Sequence, residues 1–337
     1  MFKLSKLAKS MAMVTLAISA GSAQAAFIDP FGLSGAGGVY DVMNLGWNNG
    51  NAISTSVNTA NVNSLALGDT IQTYGHTKLQ GLSDVNGDSF VINGFNPNAW
   101  SYVFGFQEVV TAAVDSASAS SRTFQTINGG NNFFEIWVGG TSAVDLSGKG
   151  FNSDGGAVKI LSGKILPWNS ATGDGQTSFD SSSSNLVPLD QSGTNQYTGY
   201  NTVTGTGGGK IDVEVDFANS AYFLDGIKLL SLTLITDTFQ NLPFSQVNPS
   251  SCFWDGTNYF SGAGNGIADG CGTAGDGGTV GLSNGLATIP GFYTSGPNTM
   301  FSSRSTTTLP AGFVPEPATL ALLGLGLFGL GVMRRKA

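Results

Sequence analysis

The stretch Ile211-Asp212-Val213-Glu214-Val215-Asp216-Phe217 alternates apolar and acidic residues without a break. Successive side chains of a β-strand point to opposite faces, so the stretch predicts a strand with one buried face and one wet face. A sheet that is wet on one side is typically antiparallel. We therefore expect an antiparallel sheet in which Glu214 points to solvent.

Strand patterns recur along the whole chain. The sequence holds 49 glycines among its 337 residues, and it has almost no stretch of Ala, Leu, Glu and Lys at helical spacing. Such a chain is typical of an all-β protein with many turns. Further strands are predicted at residues 51–57, 70–76, 89–92, 101–110, 123–127, 132–138, 158–166, 197–203, 210–217 and 227–238.

The length of the strand-rich region favours one large domain. We expect a large antiparallel β-sandwich of jelly-roll type within residues 26–292, because about 220 residues up to Leu242 fit one sandwich better than two small ones. Residues 243–292 are predicted as an extension of this sandwich. Residues 293–313 are rich in Ser, Thr and Pro and are predicted as a spacer.

The N-terminus carries an export signal. Lys3, Lys6 and Lys9 precede an apolar run over residues 11–20, and Ala23 and Ala25 supply the small residues of a signal-peptidase site. The run is too short for a lasting membrane span. We expect cleavage after Ala25, which makes residues 1–25 a signal peptide.

The C-terminus has three parts in a fixed order. The triplet Pro315-Glu316-Pro317 is followed by the apolar segment Ala318 to Met333 and then by Arg334, Arg335 and Lys336. As a helix the apolar segment spans roughly 24 Å, somewhat short of a hydrocarbon core of about 30 Å. The basic residues hold the C-terminus on the cytoplasmic side, which puts the body across the membrane. An ordinary anchor that is never cut is the alternative.

The order of these parts in residues 314–337 resembles the PEP-CTERM sorting signal. The resemblance implies that an exosortase at the cytoplasmic membrane removes the transmembrane helix, so the anchor is transient. It also implies that the product ends at the cell surface or in the extracellular matrix. The partners expected from the two ends are therefore signal peptidase, exosortase and, for a time, the cytoplasmic membrane.

Removing both ends makes the exported body strongly acidic. Six of the fourteen basic residues lie in the two terminal segments, and the twenty-two acidic residues lie between Asp29 and Glu316, which leaves eight against twenty-two and a formal charge of −14. This charge disfavours binding to nucleic acid and to anionic lipid, and it favours divalent cations or basic partners. Solubility alone is the alternative explanation.

Cys252 and Cys271 are the two cysteines of the chain. Export to an oxidising compartment makes a disulfide between them the expected state. In the chain-entropy model, closing a loop of this size contributes about 3 kcal/mol. A metal or catalytic role is disfavoured because no histidine is near.

Two further segments suggest binding loops. Asp84, Asn86 and Asp88 match the first ligands of a calcium loop, but Ser89 stands where glycine is needed and Phe95 where a glutamate is needed. A hairpin turn at Asn86-Gly87 is the favoured alternative, and a looser Ca²⁺ site built from these loop carboxylates is the other. No cofactor besides Ca²⁺ is predicted. The glycine run Gly205 to Lys210 precedes a strand rather than a helix, which favours a hairpin turn over a phosphate site.

His76 is the one histidine of the chain, so any catalytic triad that uses histidine would have to include it. Nothing near it in the sequence supports such a role. Its segment, IQTYGHTKLQG at residues 71–81, is interpreted as a hairpin with His76 facing solvent.

Glu108 and Glu135 are the candidate catalytic pair. By strand parity Glu108 shares a face with Tyr102, Phe104 and Phe106, and Glu135 shares a face with Phe133 and Trp137. Carboxylates on an aromatic face are typical of a glycan contact or of a glycoside hydrolase. The alternatives are that these faces form the outer surface, or that a glutamate pairs with a base such as Arg122.

The body resembles the flocculation-associated PEP-CTERM proteins. The resemblance lies in FIDPFGLSG (27–35), LGWNNGNAIS (45–54), FGFQEVV (104–110), NNFFEIWVGG (131–140) and FLDGIKLLSLTL (223–234). It implies a non-enzymatic surface or matrix protein that promotes cell aggregation or biofilm formation with exopolysaccharide, and it implies no catalytic residues. An exported glycan hydrolase using Glu108 and Glu135 and a self-assembling coat protein are the alternatives.

Overall fold

A computed structural model of the chain describes residues 26–56, 65–116, 120–139, 156–181, 187–190, 196–202, 205–224, 227–237, 252–257, 259–261 and 298–309. The described residues form seventeen strands and one turn of 3₁₀ helix, Pro97–Ala99. The strands are β1 Ala26–Ile28, β2 Tyr40–Val42, β3 Asn44–Trp47, β4 Gly50–Ser56, β5 Thr70–Ser83, β6 Trp100–Asp115, β7 Ser120–Thr126, β8 Phe133–Val138, β9 Val158–Ile165, β10 Gln176–Ser181, β11 Val187–Asp190, β12 Gln196–Thr202, β13 Gly205–Ala218, β14 Leu229–Asp237, β15 Cys252–Trp254, β16 Tyr259–Ser261 and β17 Asn298–Thr308.

Eleven of these strands form one sheet that closes on itself. The ring has eight positions, because at three of them two short strands follow one another along a single long neighbour: β3 with β4, β7 with β8, and β9 with β10. The other five positions are β5, β6, β13, β14 and β17. Pairing of β17 with β3 and β4 closes the ring.

Every pairing in the ring is antiparallel, so the predicted all-β, antiparallel class is confirmed. The connectivity is simpler than that of a jelly roll, because each position pairs with the positions before and after it in the sequence. Closure leaves the main sheet without a long free edge, which protects it from pairing with other chains.

The inside of the ring is filled by side chains. Apolar residues from β3, β5, β6, β8, β9, β13 and β14 form one buried cluster. Its centre is aromatic: the rings of Tyr102 and Phe104 stack at 5.5 Å, and Trp47 meets Tyr102 edge-on at 4.6 Å. The two polar tips have partners on β17, since Trp47 Nε1 donates to Thr307 Oγ1 at 2.8 Å and Tyr102 Oη lies 2.7 Å from Ser305 Oγ.

Strand β13 has the alternation predicted for it over five residues. Ile211, Val213 and Val215 are buried inside the ring and Glu214 is exposed. A β-bulge between Val215 and Phe217 then shifts the register against β9. Because a bulge changes the face of the residues that follow it, Phe217 is 45% exposed instead of buried.

The largest correction concerns the predicted spacer. Residues 298–308 of the segment 293–313 form β17, the eighth position of the ring, so this part is a structural strand. Its four threonines suit a strand because β-branched side chains pack well on a pleated surface. The hydroxyls of Ser305 and Thr307 reach buried partners inside the ring.

Two other local predictions are corrected. Residues 89–92 form no strand beyond an isolated bridge between Ser83 and Ser89. The glycine run belongs to β13 instead of a turn, and β carbons on Gly207 and Gly209 would overlap the carbonyl oxygens of Ser178 and Gln176 on β10. Glycine is required there because the two backbones approach closely.

One end of the ring is covered by the first residues of the described chain. Strand β1 pairs with β2, and Ile28 bridges to Phe223 in the β13–β14 connection. The loop that follows is held by Asp29, whose carboxylate accepts hydrogen bonds from the backbone N–H groups of Phe31, Leu33, Gly35 and Gly37. Burial raises the pKa of Asp29, but these hydrogen bonds outweigh it and hold the pKa below its usual value.

Strands β15 and β16 form a short hairpin that lies against the outer wall of the ring. Phe253 and Trp254 are buried there, and the Phe253 ring lies 5.1 Å from that of His76 on β5. Strands β11 and β12, which follow β10 and precede β13 in the sequence, pair with each other. None of the residues described belongs to a helix long and apolar enough to cross a membrane.

Candidate functional site

The structure places Glu108 and Glu135 on opposite faces of the sheet. Strand β8 pairs with β6 so that Glu135 lies opposite Val103, and residues directly opposite each other share a face. Glu108 has the parity of Phe104 and Phe106, which point into the ring. The two carboxylates are therefore separated by the sheet, and this arrangement does not let them flank one glycosidic bond as a hydrolase pair does.

Glu108 is a carboxyl group inside the ring. It is 4% exposed, its neighbour across β5 is Ile71, and it accepts a hydrogen bond from the hydroxyl of Thr177 on β10. Burial raises the pKa of Glu108 to about 7, although the Thr177 hydrogen bond acts in the opposite direction. Burial therefore favours the protonated, neutral form of this carboxyl group.

Glu135 is the centre of a cluster on the outer wall, under the β15–β16 hairpin. The indole Nε1 atoms of Trp137 and Trp254 donate to its Oε2 at 3.0 and 3.1 Å, and Lys159 Nζ lies 2.9 Å from its Oε1. Lys159 Nζ also lies 5.4 Å from the centre of the Trp137 ring. Both carboxylate oxygens are occupied, so the arrangement holds the hairpin to the wall.

Trp254 and Lys159 were not predicted from the sequence. The signal available was that a buried tryptophan needs an acceptor for its N–H. The partner of that acceptor, 119 positions away in the chain, has no local signature.

The predicted glycan contacts divide into two groups. Tyr102, Phe104 and Phe106 are at most 2% exposed inside the ring, where a glycan does not reach them. Trp137 is 7% exposed under the hairpin, whereas Phe133 is only partly buried on the outer wall.

Phe133 belongs to a row that crosses three strands. Tyr74 on β5 lies opposite Gly105 on β6, and Gly105 lies opposite Phe133 on β8. The Tyr74 and Phe133 rings are both partly exposed, with centroids 6.4 Å apart and planes inclined at 40°. A β carbon on Gly105 would overlap both rings, so glycine is what lets them lie down over β6. Asn131 Nδ2 donates to Tyr74 Oη at 3.3 Å at the edge of the row.

His76 differs from its prediction as a solvent-facing turn residue. Strand β5 runs without a break from Thr70 to Ser83, so no hairpin forms in this segment. His76 is 1% exposed on the outer wall, because Phe253 of the hairpin covers it.

The candidate calcium loop is organised by its own backbone. Asp84 Oδ1 accepts hydrogen bonds from the backbone N–H groups of Asn86 and Asp88, and Gly87 has a φ of +85°. This is a turn in which the aspartate side chain takes the place of a backbone acceptor. The residues described contain no group of three or more His, Cys, Asp or Glu side chains suited to holding a metal ion.

Several predicted residues lie outside the part of the chain that the structure describes. They include the signal-cleavage residues Ala23 and Ala25, the cysteine Cys271, and the sorting residues Pro315, Glu316, Pro317, Arg334, Arg335 and Lys336. The disulfide between Cys252 and Cys271 therefore stays a prediction.

Comparison with known proteins defines the chain by its C-terminus. Residues 313–336 match the family model of the PEP-CTERM protein-sorting motif. No curated protein and no solved structure matches the chain. The chain thus carries a sorting signal of exported proteins. It is a PEP-CTERM exosortase substrate, and the motif implies export to the cell surface or the extracellular space.

Proposed function

We propose that the exported body is a non-enzymatic matrix protein that promotes cell aggregation by contacting exopolysaccharide through the outer wall of its ring. The observation that carries the proposal is the row of Tyr74, Gly105 and Phe133, in which two aromatic rings lie partly exposed on a rigid sheet. The inside of the ring is filled by side chains, so a long polymer has access to the outer surface alone.

The chemistry of this row suits a sugar chain. Aromatic faces offer a large apolar area to the C–H face of a pyranose, and the tyrosine hydroxyl adds a polar edge. The amide of Asn131 lies beside that hydroxyl, and amides both donate to and accept from hydroxyl groups. Binding of this kind is weak at one site and becomes strong when many sites share one polymer.

The acidity of the body supports a role for calcium in the same contact. With a formal charge of −14, eight basic against twenty-two acidic residues between the two ends, the body repels an acidic polysaccharide unless cations lie between them. We propose that Ca²⁺ bridges exposed carboxylates to the polymer, without a dedicated calcium site among the residues that the structure describes.

The sorting motif supports transient anchoring before release. The apolar segment 318–333 holds the chain in the cytoplasmic membrane, and the exosortase then removes it. We expect protein released from cells to lack residues 318–337. Intact-mass measurement decides this, since released protein that still carries Arg334 and Arg335 would contradict the anchoring step.

The glycan contact is tested with purified body, residues 26–313, and exopolysaccharide from the producing cells. The double variant Tyr74→Ala/Phe133→Ala is expected to sediment with the polymer much less than the unchanged protein does, at equal thermal stability. Phe217→Ala, which removes an exposed ring from another part of the wall, is the matched control. Added EDTA is expected to weaken sedimentation, and excess Ca²⁺ to restore it.

Two outcomes would contradict the proposal. Equal sedimentation of the double variant and the control removes the aromatic row from the contact. Normal aggregation and polymer retention in cells that lack the gene removes the cellular role. If the double variant unfolds, Phe133→Leu, which keeps apolar volume but loses the ring face, replaces it.

A further inference from the structure

Exposed apolar side chains gather at one end of the ring. We call this end the exit end; among the described residues it is formed by 26–43, 84–99, 219–224 and 227–228 and by Leu309, where β17 ends. Leu33, Val39, Val85 and Val91 are 56%, 49%, 59% and 99% exposed there. The loops that carry them pack together, since Tyr40 meets Phe90 edge-on at 5.4 Å and Phe31 meets Phe95 at 6.2 Å.

The chain leaves the ring at this same end. Leu309 is fully buried, and its N–H donates to the carbonyl oxygen of Met43, next to the β1–β2 pair. Five residues, 310–314, separate it from Pro315, the first residue of the sorting triplet. Leu309 and Pro315 are therefore six Cα–Cα steps apart, which span about 21 Å when fully extended. The exit end therefore lies within about that distance of the triplet, at the base of the membrane segment.

The opposite end of the ring lies a full strand length from the point where the chain leaves it. Strand β5 has fourteen residues between the two ends, a contour length of about 46 Å at the usual rise per residue. Because β17 takes up most of the predicted spacer, little chain is left to lift the body away from the bilayer.

We propose that the exit end is a membrane-contact surface. While the chain is anchored, Leu33, Val39, Val85 and Val91 rest in the headgroup region of the bilayer, and cleavage by the exosortase releases them. The inference rests on the anchoring step proposed above. The short tether favours lipid as the occupant, because it holds this surface at the bilayer, where the high effective concentration of lipid lets even weak apolar contacts form.

The charges at the exit end indicate which lipid it prefers. Asp41 and Asp88 are exposed among the apolar residues, and the body as a whole is acidic. Anionic headgroups therefore repel this surface, whereas zwitterionic headgroups do not. We expect the contact to be closest on phosphatidylcholine and to loosen when phosphatidylglycerol is added at low salt.

The test places a fluorescent label at each end of the ring. Residues 26–337, with Cys252 and Cys271 changed to Ser, are reconstituted into phosphatidylcholine vesicles that contain spin-labelled lipid. One variant is labelled at Val91→Cys and the matched control at Leu67→Cys, which is 70% exposed at the opposite end. We expect a blue shift and several-fold stronger quenching at position 91.

Each other outcome overturns the inference. Two labels that both remain in water mean that the body stands off the bilayer, and equal quenching means that it has no preferred end. Shielding of position 91 that requires added exosortase means a protein contact. If the chain does not float with the vesicles, anchoring fails, and the inference fails with it.

A second measurement covers variants that do not fold. Hydrogen exchange of the chain with native cysteines is expected to slow on vesicles in residues 29–39 and 84–95, and not in residues 65–69. The glycan test above uses the body without its anchor, so its result is independent of this one.

Discussion

Glu108 is the residue at which the fold opposes ionisation most clearly. Its carboxyl group lies inside the ring with the Thr177 hydroxyl as its hydrogen-bond donor, and burial raises its pKa to about 7. In the unfolded chain the same group loses its proton near pH 4.5. The contribution of Glu108 to stability is therefore largest below pH 4.5 and falls as the pH rises to about 7, because the unfolded state gives up the proton first.

Glu108→Gln removes this pH dependence. We expect the variant to match the unchanged protein near pH 4 and to be more stable by about 3 kcal/mol at pH 8, since a tenfold difference in the acid dissociation constant between the folded and unfolded states corresponds to about 1.4 kcal/mol. Urea unfolding of residues 26–313 at both pH values measures the difference. Glu214→Gln, a change of the same charge on the exposed face of β13, is the control. Parallel pH profiles for Glu108→Gln and the unchanged protein would contradict the expectation.

The sequence predicted which residues of a strand share a face, but it did not predict which face points into the ring. The grouping of Glu108 with Tyr102, Phe104 and Phe106, and of Glu135 with Phe133 and Trp137, holds in the structure. The relation between the two groups depends on the pairing of Val103 with Glu135, and a change of register by one residue reverses it. This pairing is a property of two strands together, so neither strand alone predicts it.

The β15–β16 hairpin is held in place by residues from distant parts of the chain. Its polar anchor is the hydrogen bond from Trp254 Nε1 to Glu135, and its apolar contacts include the Phe253 ring over His76. The sequence predicted a disulfide for this region, whereas the described contacts lie between distant parts of the chain.

The anchor is tested by two variants that each remove one N–H donor from the same carboxylate oxygen. Trp254→Phe and Trp137→Phe are each expected to cost about 2 kcal/mol, because each removes a hydrogen bond to a charged acceptor. Only Trp254 lies on the hairpin, so only its variant should raise hydrogen exchange in residues 252–261. Equal exchange of this segment in both variants would mean that the hairpin is held by other contacts.

The sequence predicted the all-β, antiparallel class of the whole molecule, but it did not predict that the sheet closes on itself. Most long strands appeared as alternating patterns, because one face meets the core and the other meets water. Strand β17 did not, because Ser305 and Thr307 are buried with the hydroxyls bonded to Tyr102 and Trp47, more than 200 positions away. A polar side chain satisfied by a distant partner looks like a solvated one in the sequence, and so a structural strand resembled a spacer.

Because β17 closes the ring, the structure predicts how far the chain can be shortened from its C-terminus before the fold is lost. A chain ending at Phe292 keeps everything that the sequence assigned to the domain but lacks β17, so it leaves β14, β3 and β4 without their shared neighbour and Trp47 Nε1 without its acceptor. We expect it to lose cooperative thermal unfolding and to bind an apolar dye, because the ring opens over its core.

A chain ending at Phe313 keeps β17 and lacks only the tail, and we expect it to unfold as cooperatively as the mature protein. Adding the peptide of residues 298–313 to the chain that ends at Phe292 should restore cooperative unfolding, since the missing strand pairs on both sides through its backbone. Cooperative unfolding of that shorter chain without the peptide, at the temperature of the longer one, would mean that the ring is not closed by β17. In that case residues 298–309 would be the spacer that their composition first indicated, and the exit end would lose its short tether to the membrane.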